Sequence, residues 1–134
     1  MAESMSKADR IALFSRILTE AGYVPEALED RVRFKHEGGT YQVLVYDDQS
    51  YLSVVYPRFW PFKTEAERSR VEKAACAATV QTKAAKVLIA DDNNVSAAVE
   101  LFCSPPRNFE AVLELALMSL KYAVKTFRAE VAAA

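Results

Sequence analysis

Glycine is scarce in this chain: Gly22, Gly38 and Gly39 are the only three among 134 residues. No loop that cradles a phosphate on successive glycines can be built from them, which argues against nucleotide chemistry. Histidine occurs once, at His36, and cysteine twice, at Cys76 and Cys103. One imidazole without a visible partner and two separated thiols supply neither a paired-histidine metal site nor a Cys–His couple. The expectation is a protein with no catalytic residues, no metal and no cofactor, and not an enzyme. Cys76, in an alanine-rich helical segment, and Cys103, at the end of an apolar strand, both read as small core residues.

A surplus of one charge is also missing, since 17 Lys and Arg stand against 18 Asp and Glu for a formal net charge of −1. Binding to a nucleic-acid backbone draws on concentrated cations that release counterions, so no nucleic-acid partner is expected. No run approaches the ~18 apolar residues of a membrane span, and Met1 to Arg10 lacks the apolar stretch of a signal peptide. No membrane partner is expected, and the default location is cytoplasmic. The acidic pairs Asp47-Asp48 and Asp91-Asp92 lack the regular ligand spacing of a calcium loop and fall at hairpin tips, where aspartate bonds to nearby backbone.

What is present is apolar residue in quantity, 51% of the chain, enough for one globular domain over residues 1–134 with a single core. Ser6, with Asp9 three positions on, opens a helix whose apolar residues Ile11, Phe14, Ile17, Leu18 and Ala21 recur at helical spacing until Gly22. Glu26 to Asp30 reads as a solvated turn or a single helical turn. From Arg31 the period is two, with Val32, Phe34 and His36 alternating with Arg31, Arg33 and Lys35. Gly38-Gly39 reverses the chain, Thr40 to Tyr46 returns antiparallel, and Tyr51 to Tyr56 forms a third strand that Pro57 ends. Thr64, with Glu67 as its capping partner, opens a helix to about Thr82. Lys86 to Ala90 and Val95 to Phe102 are two further strands, and Asn108 caps a last helix bearing Phe109, Val112, Leu113, Ala116, Leu120, Val124, Phe127 and Val131. The fold class is α+β, in the order α-β-β-β-α-β-β-α, with an antiparallel five-stranded sheet packed with three helices.

Two groups of residues stand out as surfaces. Tyr56, Arg58, Phe59, Trp60 and Phe62 crowd a predicted connection between strand and helix, in the residue types that dominate binding energy at interfaces; this is the candidate partner-binding segment, unless its rings fold back as a lid over the sheet or the last helix. Val71, Ala74, Ala75 and Ala78 share one side of the second helix and are small enough for another backbone to approach, while Leu117 and Met118 lie off the main stripe of the last helix. These six are the candidate dimer contact, since the sheet strands also carry apolar residues on both faces and two-fold dimers are the commonest closed assembly. Arg31, Arg33 and Lys35 form a basic stripe suited to discouraging edge pairing or attracting an acidic partner.

The element order resembles that of the type III secretion chaperones and the YbjN-like proteins, and the likeness spans nearly the whole chain. It is nearer to the YbjN-like group, in Val32-Arg33-Phe34 before the glycine turn, Tyr41 to Val45, the strand Val99-Glu100-Leu101-Phe102 and the Pro105-Pro106-x-Asn108-Phe109 lead-in to the last helix. The resemblance implies a non-enzymatic bacterial protein, a homodimer with its contact on the second helix, that holds or regulates an unidentified polypeptide through apolar surface. The secretion chaperones are distinctly acidic, and the near-neutral charge here departs from them. The alternative function is a small-ligand-binding sensory domain with an aromatic pocket of Tyr41, Tyr46, Tyr51 and Trp60.

Overall fold

The structure is a computed structural model and describes residues 4–133; the reading of the first ten residues as lacking a signal peptide therefore lies partly outside the described residues. Along the chain run α1 (Lys7–Glu20), β1 (Glu26–Ala27), β2 (Arg31–His36), β3 (Gly39–Val45), β4 (Tyr51–Pro61), α2 (Glu65–Gln81), β5 (Ala85–Ala90), β6 (Asn94–Phe102), a short 3₁₀ turn (Pro106–Asn108) and α3 (Phe109–Ala133). The fold is α+β, with an antiparallel sheet in the order β1-β2-β3-β4-β6-β5. The sheet has six strands rather than the expected five. The additional one is β1, where the acidic stretch reads as a turn: Glu26 pairs with Arg33 and Ala27 with Val32. The Arg33 guanidinium donates to the Glu26 carboxylate, and the Leu28 N–H donates to the Arg31 carbonyl at 2.8 Å. Backbone pairing and a charge-assisted bond together hold Glu26 in a strand that an acidic residue would not choose by propensity.

Two compact units divide the chain, and β4, β6 and α3 lend residues to both. In the first unit, residues 4–55 and 100–114, α1 starts where the Ser6 hydroxyl accepts the Asp9 N–H, a cap that contributes about 1 kcal/mol. Ile11, Phe14, Ile17 and Leu18 are buried because helical spacing sets them on the side that meets β2 and β3. On the sheet, Val32 lies opposite Val43, Phe34 opposite Tyr41, Val43 opposite Val54 and Val45 opposite Leu52. All of these are buried, so cross-strand partners form one continuous apolar face. Phe109 closes it, edge-on to Phe14 at 5.2 Å.

The β2–β3 reversal falls one residue earlier than expected. Glu37 and Gly38 carry the positive φ angles, 49° and 81°, and Gly39 already pairs with His36 in the ladder. A two-residue hairpin turn with both φ positive matches the twist of its strands. At the next reversal Asp48 accepts both the N–H and the hydroxyl of Ser50. Those bonds hold the Asp48 carboxyl below its ordinary range, helped by the nearby Arg10 charge. A depressed folded-state value favours the folded protein above the unfolded-state pKa, and that contribution disappears as pH falls through the folded one. Asp48→Asn is accordingly expected to lower the melting temperature slightly at neutral pH and to leave it unchanged at the acid end, which flattens the acid limb of the profile; an unaltered acid limb would show that the turn does not report on folding.

In the second unit, residues 56–99 and 115–133, α2 opens on the Thr64 hydroxyl, which accepts the Glu67 N–H at 3.1 Å. The Glu67 carboxylate takes the N–H of Lys63 rather than that of Thr64. Ala85, Val87 and Ile89 of β5 pair with Val99, Ala97 and Val95 of β6, and α2 packs on β5. The Thr79 hydroxyl ties the two together by accepting the Val87 N–H at 2.9 Å. β4 does not end at Pro57 but continues to Pro61. Its irregular end is held by side chains of β6: the Arg58 N–H donates to the Ser96 hydroxyl at 2.9 Å, and the Trp60 N–H to the Asn94 side-chain oxygen at 3.1 Å. Among the described residues no helix is long and apolar enough to cross a membrane.

Candidate functional site

The aromatic segment expected as a connection is strand. Arg58 stands at φ 51°, and Tyr56 and Phe59, three residues apart, stack with ring centres 5.5 Å apart and planes within 11°. Strict alternation would send residues three apart to opposite faces, so Arg58 is the extra residue of a bulge. Phe59 and Trp60 both meet Phe127 of α3 edge-on, at 5.5 and 5.6 Å, and Phe62 is buried beneath the Arg68 guanidinium. The Arg128 guanidinium lies 5.8 Å from the Phe59 ring. Of the five candidate partner-binding residues Arg58 is exposed, Tyr56, Phe59 and Trp60 are half-buried and Phe62 is buried.

The candidate dimer contact divides in the same manner. Val71, Ala74, Ala75, Ala78 and Leu117 are buried within the second unit. Small residues on α2 do permit close approach, but the element they approach is β5 of the same chain. Met118 is 65% exposed, and with Leu115 at 63% and Tyr122 at 52% it forms an outward stripe on α3 at spacings of three and four. Cys76 is exposed on α2, contrary to its core reading, whereas Cys103 is buried and burial raises its thiol pKa.

In the first unit His36 sits between two rings, Tyr23 at 5.4 Å and Tyr41 at 5.7 Å. Tyr23 also meets Phe34 at 5.2 Å, and its hydroxyl pKa is raised by burial and by the carboxylates of Glu114 and Glu37. The residues of the expected aromatic pocket, Tyr41, Tyr46, Tyr51 and Trp60, have these ring contacts. Tyr41 stacks on Phe34, Tyr46 bonds the Ser53 hydroxyl and tilts against Tyr51, and Trp60 is on Phe127. What the sequence did not signal is a cleft of about 730 Å³ between residues 22–26 and residues 33–35, with Thr40. A smaller hollow of about 240 Å³ lies by Tyr51 and the exposed Phe102. Of the basic stripe, Arg31 is held by Asp30 and Gln42 and Arg33 by Glu26, while Lys35 is exposed. Among the described residues no group of three or more His, Cys, Asp or Glu side chains is placed to hold a metal ion. No family model matches the chain, and no curated protein matches it.

Proposed function

We propose that this is a non-enzymatic, cytoplasmic protein-binding domain, chaperone-like or regulatory in the manner of the YbjN-like and secretion-chaperone proteins it resembles, and that it works as a homodimer. The observation that supports this reading is the outward stripe of Leu115, Met118 and Tyr122. Three large apolar side chains aligned on one helix face are what a docking surface offers and what a solitary helix seldom leaves in water. The stripe replaces the small-residue side of α2 as the contact between copies. Polypeptide binding would then fall to other apolar surface, of which Phe102, 92% exposed, is the largest single ring.

Sedimentation tests the dimer. The native chain is expected at twice its monomer mass at micromolar concentration, and Leu115→Glu with Met118→Glu is expected to give the monomer with an unchanged melting profile. A native chain that sediments as a monomer would remove this reading.

A further inference from the structure

We infer that the cleft between the α1–β1 connection and the β2–β3 hairpin binds a small organic acid: a compact apolar body, aromatic or aliphatic, bearing one carboxylate or phosphate. The inference goes beyond the proposed dimer and does not depend on it, so its failure leaves the α3 stripe untouched.

Size comes first. About 730 Å³ falls inside the range of roughly 300–1,000 Å³ that small-molecule sites occupy. The walls differ in chemistry. One is the turn after α1, where Tyr23 and Pro25 are partly covered but Val24 stands 87% exposed, an uncommon position for a branched apolar side chain beside a concavity. The other is β2, from which Arg33 and Lys35 project on one face of the sheet. Lys35 is directly opposite Thr40 in the ladder, so an ammonium and a hydroxyl are cross-strand neighbours within the distance that paired side chains share.

The backbone adds a donor. His36 and Gly39 close the hairpin, and the Arg31 carbonyl bonds to Leu28 on the β1 side. Antiparallel alternation therefore turns the N–H groups of Arg33 and Lys35 toward β1 as well. Pairing with β1 reaches only as far as Arg33. The N–H of Lys35 thus faces the cleft, one step past the last residue β1 covers. Neighbouring Arg33 is already matched by the Glu26 carboxylate, which leaves the exposed Lys35 as the cation offered at this edge. An incoming acid would take the next place along, against the Lys35 N–H and ammonium, with its body crossing the open edge of β2 onto Val24 and Tyr23, which packs on Phe34 and His36 of the opposite face. Charge-assisted bonds fix the acid group, and apolar contact supplies the remainder.

The test is a titration followed by amide chemical shifts of the whole chain, with phenylacetate and phenyl phosphate as probes and 2-phenylethanol as the neutral control. The two acids are expected to shift amides over residues 22–26 and 33–40 saturably, with a dissociation constant on the order of 1 mM for so small a body. The neutral alcohol is expected to leave those amides in place. Lys35→Met, an exposed position that should leave melting unchanged, is expected to weaken binding roughly tenfold, and Val24→Asp should do likewise by repelling the acid at the rim. Absence of saturation, equal shifts with the alcohol, or a Lys35→Met variant that binds as well as the native chain would each overturn the inference. So would a blocked acidic peptide that shifts these amides when both small acids do not, since the site would then belong to a polypeptide.

Discussion

Replacing Phe127 with alanine is expected to cost about 3–5 kcal/mol, the usual range for removing a fully buried ring, and so to consume much of the roughly 5–15 kcal/mol that holds a domain of this kind together. The ring is completely enclosed, and it is the point on α3 that both Phe59 and Trp60 meet edge-on. Alanine would leave a cavity bounded by two rings whose backbone is fixed by the Ser96 and Asn94 side chains, so collapse into the gap is obstructed. Trp60 is the single tryptophan, which makes its fluorescence a local reporter beside the global melt. A red-shifted, weaker emission together with a large loss in denaturant midpoint is the expected pair of results. A loss below about 1 kcal/mol, the cost of a well-accommodated change, would mean that these rings do not form the centre of the unit.

The second large effect is expected at Arg10. Its side chain is 3% exposed on α1, and it donates to the carbonyl of Tyr46 at 2.7 Å and, more weakly, to that of Asp47 at 3.5 Å. The buried Nε has no partner. A guanidinium enclosed among carbonyls fastens the first helix to the β3–β4 turn, and Arg10→Met keeps the stem while deleting the donors. Charge-assisted bonds of this sort contribute about 1.5–3 kcal/mol each, partly offset because a buried charge no longer has to be desolvated. A net loss of about 2 kcal/mol is expected, a fall in melting temperature of about 8 °C for a chain of this length. A variant as stable as the native chain would show that desolvation cancels the bonds.

How much of this was readable in the sequence depends on how local each cause is. The starts of α1 and α2 were legible because Ser6 and Thr64 act on residues three positions away, whereas Asn108, expected to cap α3, lies in the 3₁₀ turn before it and donates its side-chain amide to the Ser104 carbonyl. The long stripe of α3 was legible because its period repeats seven times over. The end of β4 was not: Pro57 reads locally as a terminator, yet the N–H groups beyond it are satisfied by Ser96 and Asn94, 38 and 34 residues distant. β1 was hidden for a related reason, since two residues carry no period and the acidic run has turn chemistry of its own. The burial of Val71, Ala74, Ala75 and Ala78 was foreseen as close helix approach, but composition does not say whose backbone approaches. The cleft by Lys35 left no motif at all, because it arises where a strand is too short to cover its neighbour.

The bulge at Arg58 has an engineering consequence. Tyr56 and Phe59 share a face only because one residue between them drops out of step, and the irregular stretch keeps its shape through oxygens borrowed from another strand. Residues 56–60, Asn94 and Ser96 are therefore one transferable module: grafted together into a new scaffold they would carry the offset with them, whereas the aromatic stretch moved alone would revert to an ordinary zigzag and send one of its rings to the wrong side.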